Sequence, residues 1–193
     1  MMLVAEPVTL ATDYLLALAA GVFAALLWRT NRFWALAFLF TACGSFFGGT
    51  YHGFAPVLGP LTAVALWKAT IYSIGLASFF LLAGSHRAFV LLALVKFIVY
   101  ASWMITHDDF TWVMVDYGLT MLIVAIAVRN RWVIASIAVS VLGALVQQSR
   151  FALHRHFNHN DLYHVIQLVA LWLLYRGGKL MNRSTGPPTN RPT

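Results

Sequence analysis

The amino-acid sequence predicts an all-α integral membrane bundle of about seven transmembrane helices, and three observations carry that expectation. Of the 193 residues 61% are hydrophobic and only 10% are charged, an apolar load that a water-soluble fold of this size cannot hide. The chain divides into apolar runs of roughly 20 residues, the length that crosses a hydrocarbon core of ~30 Å. These runs are continuous rather than alternating at every second residue, which excludes the strands of a membrane barrel.

The first run, Ala11 to Trp28, has Glu6 and Asp13 about its start in place of the positive segment of a secretory signal, so it reads as a retained helix. The second, Phe33 to Phe54, is rich in small residues and holds the lone Cys43, which excludes an intrachain disulfide. The third and fourth, Pro60 to Ala83 and Ala88 to Ile105, each carry one lysine, Lys68 and Lys96. The fifth, Phe110 to Val128, contains Asp116; the sixth and seventh are Trp132 to Gln148 and Asn160 to Tyr175. Trp28, Trp34, Trp103, Trp112, Trp132 and Trp172 fall near the ends, where an indole keeps its ring in the headgroup zone. No connection is long enough for a second domain. Residues 1–182 therefore form one transmembrane domain, and the Pro-containing segment 183–193 reads as a disordered cytoplasmic tail.

Orientation follows from the cations of the short loops. Arg29, Arg32, Arg87, Arg129, Arg131, Arg176, Lys179, Arg183 and Arg191 mark one side, against Arg150 and Arg155 on the other. The N-terminus is expected outside and the C-terminus inside, in a multi-pass protein of a bacterial inner membrane. The formal charge of +7 is accounted for by this bias and by anionic membrane lipid, so no nucleic-acid partner is expected.

Once the helices are laid out, all six acidic residues and six of the seven histidines fall at or in the outer half. His107, His154 and His156 read as hydrated loop residues. His52, Asp116 and His164 lie below the interface, where an ionisable group is expensive without a partner. Positions 45, 48, 49 and 52 share one face of the second helix, so Ser45, Gly48 and Gly49 line the approach to His52. At the start of the seventh, Asn160 and Asp161 precede His164 by four and three residues on its side of the helix. His159, five before, joins His164 where the helix begins. Two or three imidazoles beside a carboxylate suit Zn²⁺ with an open position for water. Lys68 and Lys96 are expected near the midplane, Lys68 opposite Asp116 as an ion pair or as a cation receiving an anionic substrate group.

At these residues the chain resembles the CREST superfamily of seven-helix membrane hydrolases, which includes the alkaline ceramidases and adiponectin receptors. In Gly-Gly-Thr-Tyr-His, His52 is similar to that family's second-helix histidine; in Asn-Asp-Leu-Tyr-His, His164 is similar to the second histidine of its seventh-helix pair. The departures are Gly48 where the family has serine, Asn160 where it has the first histidine, and a third helix without aspartate. Ser45 and His159 stand as substitutes, and Asp116-Tyr117 resembles a phrase of the receptor branch. The resemblance implies a zinc-dependent hydrolase that cleaves a lipid amide or ester at the outer leaflet. Zn²⁺ would be held by His52, His159 and His164. Asp116 or Asp161 would be general base, with Ser45 or Tyr51 bonding the oxyanion and Lys68 the substrate.

The same residues admit three other readings. A proton or metal-ion transporter would use the lysines, Asp116 and the outer histidines. A b-type haem protein would ligate iron through His52 and His164. A receptor or scaffold would need no chemistry at all.

Overall fold

The computed structural model describes residues 4–154 and 157–181; His156 and the expected tail lie outside the described residues. The helices are α1 (Pro7–Leu27), α2 (Arg32–Phe54), α3 (Pro60–Ala83), α4 (Val90–Trp103), α5 (Phe110–Val128), α6 (Arg131–Ser149) and α7 (His159–Met181). Two single 3-10 turns, Ala55–Val57 and Arg87–Phe89, interrupt the connections, and no strand occurs among the described residues.

Local chemistry sets the ends. Pro7 and Pro60 occupy the first turns of α1 and α3, where the missing N–H has no intrahelical partner to lose. Asn31 caps α2 and Asn130 caps α6, each side chain accepting a first-turn backbone N–H. Asp109 caps α5 by accepting from Thr111 N at 2.8 Å, and that bond holds its carboxyl below the usual value. α1 begins four residues before the expected Ala11, which draws Asp13 well inside the helix. α7 begins at His159 and runs on to Met181, past the expected Tyr175, while α4 stops at Trp103, two residues short.

α1, α2 and α3 pack in sequence, α3 meets both α4 and α5, and α6 pairs with α7, which returns to α1. The result is a closed ring of six helices with α4 laid against the outside of α3. The seam between α5 and α6 is the thinnest in the ring.

The distribution of side chains is inverted relative to a water-soluble protein. Leu61, Leu91, Val99, Ile126 and Leu145 stand more than half exposed on the outside, while Ser78, Thr120 and Ser136 are fully buried between helices. Ser78 bonds Thr120 at 2.8 Å and Ser136 donates to Ala170 O at 2.8 Å, so small polar residues join the helices from within. Among the described residues five helices, α1, α2, α3, α5 and α6, are long and apolar enough to cross a bilayer. The chain is a multi-pass membrane protein.

Candidate functional site

The ring encloses a cavity of about 380 Å³, within the range of small-molecule sites. Phe110, Val113, Met121, Ile137 and Leu171 make much of the wall apolar. Asp13, His52, Asn160, His164 and Gln147 lie toward the end where α1, α5 and α7 begin and α2 ends, with Ser45, Thr41, Thr70, Ser140 and Gln167 deeper. The lining contains no lysine or arginine.

Asp13 reaches the cavity because α2 presents glycines to it. A Cβ on Gly49 would stand 2.7 Å from the Asp13 Cβ, so α1 approaches this closely only where α2 has no side chain. At Gly48 an added Cβ would lie 4.0 Å from Asp13 Oδ2, so the carboxylate passes over this glycine on its way to the cavity. The small-residue face of the second helix is thus a notch for an acid of the first.

Asp13 Oδ1 lies 3.3 Å from His164 Nε2, and both residues are buried. The other ring nitrogen, Nδ1, is 3.1 Å from Thr12 Oγ1. The Thr12 hydroxyl also lies 3.0 Å from Val8 O and 3.1 Å from Thr9 O, so it can accept from His164 Nδ1 or donate to it. With the ring hydrogen on Nε2 the imidazole donates to the Asp13 carboxylate; with it on Nδ1 a proton or a cation must stand between Nε2 and that carboxylate.

His52 lines the same cavity, half-buried, with Nδ1 3.7 Å from Glu6 Oε1 and its ring edge-on to Trp67. Ser45 is buried on the cavity wall seven residues before it. Gln147 donates from Nε2 to Asn160 Oδ1 at 3.1 Å, while its buried Oε1 has no partner. Among the described residues, no three His, Cys, Asp or Glu side chains stand together as a metal-binding group. The convergent pair is Asp13 with His164.

The remaining expected site residues lie elsewhere. His159 is the first residue of α7 and is not on the cavity wall. Asp161 serves the fold: Asn158 Oδ1 accepts from Asn160 N and Asp161 N, while Asp161 Oδ2 accepts from Asn158 N at 2.7 Å. This reciprocal pair caps α7. Asp161 Oδ1 receives the Thr9 hydroxyl at 2.8 Å, tying α7 to α1, so both oxygens are engaged. Tyr51 packs against Trp67, 5.2 Å between ring centres, away from the cavity wall.

Asp116 does not face Lys68. It is paired with Lys96, whose Nζ also reaches Ser78 Oγ at 3.0 Å and Asp116 O at 3.2 Å. Lys68 instead bonds Met104 O at 2.6 Å, Ile105 O at 3.0 Å and the Asp108 carboxylate at 2.6 Å. α4 ends at Trp103, and the carbonyls of Met104 and Ile105 in the turn that follows lie beside Lys68 and draw the ammonium to them. Neither lysine enters the cavity.

Asp13 was not among the expected site residues. Its signal was Pro7, a helix-start residue that places Asp13 nearly two turns inside α1.

The profile of a family described as a family of unknown function (DUF6962) matches residues 8–183, and the chain belongs to that family. No curated protein and no solved structure matches it.

Proposed function

We propose that this member of DUF6962 is a zinc-dependent membrane hydrolase that cleaves a lipid amide or ester. The observation that carries the reading is His164 Nε2 standing 3.3 Å from the Asp13 carboxylate in a cavity walled largely by apolar side chains. Two donors on one tetrahedral Zn²⁺, each at ~2.0–2.1 Å, stand about 3.3 Å apart. Asp13 and His164 thus fit as two ligands, with His52 the third, drawn in from the wall they share. Asp13 takes the place expected of His159. The resemblance to the CREST hydrolases supports the reaction class.

When bound, the ion lowers the pKa of a water toward ~7 and polarises a carbonyl oxygen. The chain supplies the remainder. With Nε2 on the metal, His164 Nδ1 would carry the ring hydrogen and donate it to Thr12 Oγ1, which would hold the ring plane. Ser45, on the cavity wall, offers a hydroxyl to the developing oxyanion. The open Gln147 Oε1 accepts the N–H of a substrate amide, which an ester lacks, so amides are favoured. The apolar wall holds an acyl chain and excludes bulk water. Without lysine or arginine in the lining, a phosphate headgroup has no counter-charge, which favours an uncharged lipid.

In this reading all seven helices cross the bilayer, N-terminus outside and C-terminus inside, with the cavity toward the outer leaflet of a bacterial inner membrane. A cysteine placed at Arg129 in a Cys43-free chain is then shielded from impermeant thiol reagents in intact cells, while one at His156 is labelled. The reverse pattern moves the site to the cytoplasmic leaflet.

Elemental analysis and hydrolysis of a fluorescent N-acyl lipid test the chemistry. The expected result is about one zinc per chain, with both zinc and turnover lost in Asp13→Ala and His164→Ala. A folded, metal-free, fully active preparation overturns the metal assignment.

A second reading rests on the same geometry: a proton shared between Asp13 and His164 would make the pair a carrier site. Proton flux in liposomes without hydrolysis would select it. The haem reading is weaker, because Asp13 occupies the direction in which His164 Nε2 would meet iron.

A further inference from the structure

At the end of the bundle opposite the cavity's polar pole, α6 begins and α7 finishes side by side. A Cβ on Gly177 would stand 2.6 Å from Val133 Cγ2 and 3.7 Å from Trp132 Cβ, so the two helices meet here without a spacer. Arg176 places its guanidinium 4.6 Å from the centre of the Trp132 ring and 5.3 Å from that of Trp172, one turn earlier on its own helix. Arg131 stands 5.3 Å from the centre of the same Trp132 ring. The two indoles meet edge to face at 6.1 Å. Two arginines are thus held around one indole, within about 10 Å of each other, where like charges repel.

Among the described residues no carboxylate pairs with either. The six acidic residues are Glu6, Asp13, Asp108, Asp109, Asp116 and Asp161, all in the opposite half, and residues 182–193 add none. Among the described residues no arginine forms an ion pair with a carboxylate. The first turn of α6 adds the positive end of a helix dipole, and Asn130 holds the Trp132 N–H in place at 2.9 Å. Trp172 is exposed, as a residue set against lipid would be.

We propose that Arg131, Arg176, Trp132 and Trp172 form a binding site for the headgroup phosphate of an anionic membrane phospholipid. The guanidiniums supply paired N–H donors to the phosphate oxygens, the indoles hold the arginine planes against side-to-side motion, and Trp172 packs along the upper acyl chain. This site is separate from the cavity and does not depend on what the cavity does.

The test uses the full chain in mixed micelles, with quenching of tryptophan fluorescence by brominated phosphatidylglycerol compared with brominated phosphatidylcholine. The parent should prefer phosphatidylglycerol roughly tenfold or more, given about 1 kcal/mol per basic residue near the surface. Arg131→Gln/Arg176→Gln should bring that preference close to one. Arg87→Gln removes a charge at the same end with no aromatic contact and should keep most of the preference. Equal loss in the Arg87 variant would mean a diffuse positive field and overturn a built site. So would a parent that does not distinguish the two lipids.

Discussion

Among the described residues, two acid and base pairs lie between the helices of this bundle, one half-buried and one buried, and they are built to opposite plans. Lys96 and Asp116 meet between α4 and α5, where the ammonium is also bonded to Ser78 and to a backbone carbonyl, and neither lines the cavity. Charge is matched and the donors are used. Asp13 and His164 meet on the wall of a 380 Å³ space, with His164 Nδ1 beside Thr12 and Nε2 beside the acid. The first pair is closed off between helices; the second faces a space that a ligand can enter. A charge held between helices does not mark a candidate site; one that lines a cavity does.

The difference is sharpest in turnover. Asp13→Asn or His164→Ala should lower hydrolysis about a thousandfold or more, measured as turnover per folded molecule, whereas Asp116→Asn should leave it within a few-fold. Equal losses would erase the distinction between the pairs.

Stability should divide the other way. Lys96→Met alone leaves an unpaired buried carboxylate and should destabilise by about 3–5 kcal/mol, read by thermal or denaturant unfolding in detergent. The double variant Lys96→Met/Asp116→Leu should recover most of that loss, because no charge remains to be buried. A double variant as unstable as the single would mean that the pair contributes specific attraction beyond matching.

A smaller effect belongs to Thr12. Thr12→Val removes the hydroxyl that meets His164 Nδ1 and should weaken zinc binding by about 10- to 100-fold, measured by competition with a chelator. Unchanged affinity would show that the ring is oriented without it. The smallest belongs to Gln147: Gln147→Leu should cost an amide substrate about tenfold in kcat/KM and a matched ester little. If both fall together, Gln147 shapes the cavity rather than reading the substrate.

The ends of α3 and α5 were legible to the residue, because Pro60 after Gly59, and Asp109 before Phe110, are start signals that act locally. So was the gathering of His52, His164 and Ser45, which follows from helix period and from which ends of the helices lie together. Asp13 was missed because α1 was expected from Ala11, which left the acid at the interface; Pro7 gave the earlier start. Asp161 and Asp116 were misjudged for a different reason. A carboxylate looks the same in sequence whether it caps a helix, neutralises a lysine or faces a cavity, and its neighbours come from helices far along the chain. Lys68 shows the same limit: its partners are the Asp108 carboxylate and two carbonyls in the turn after α4, exposed because the helix has already ended at Trp103.

That shortness reaches beyond Lys68. The 14 residues of α4 cover about 21 Å, against ~30 Å for an average hydrocarbon core, on the outside of the ring where lipid is its neighbour. In the proposed seven-span topology, lipids beside α4 would have to shorten or tilt to meet it, thinning the bilayer on one flank of the molecule. Hydrophobic mismatch would then rank membranes by thickness: the protein would partition toward thinner bilayers, and thicker ones would press on α4 before they press on the ring that encloses the cavity.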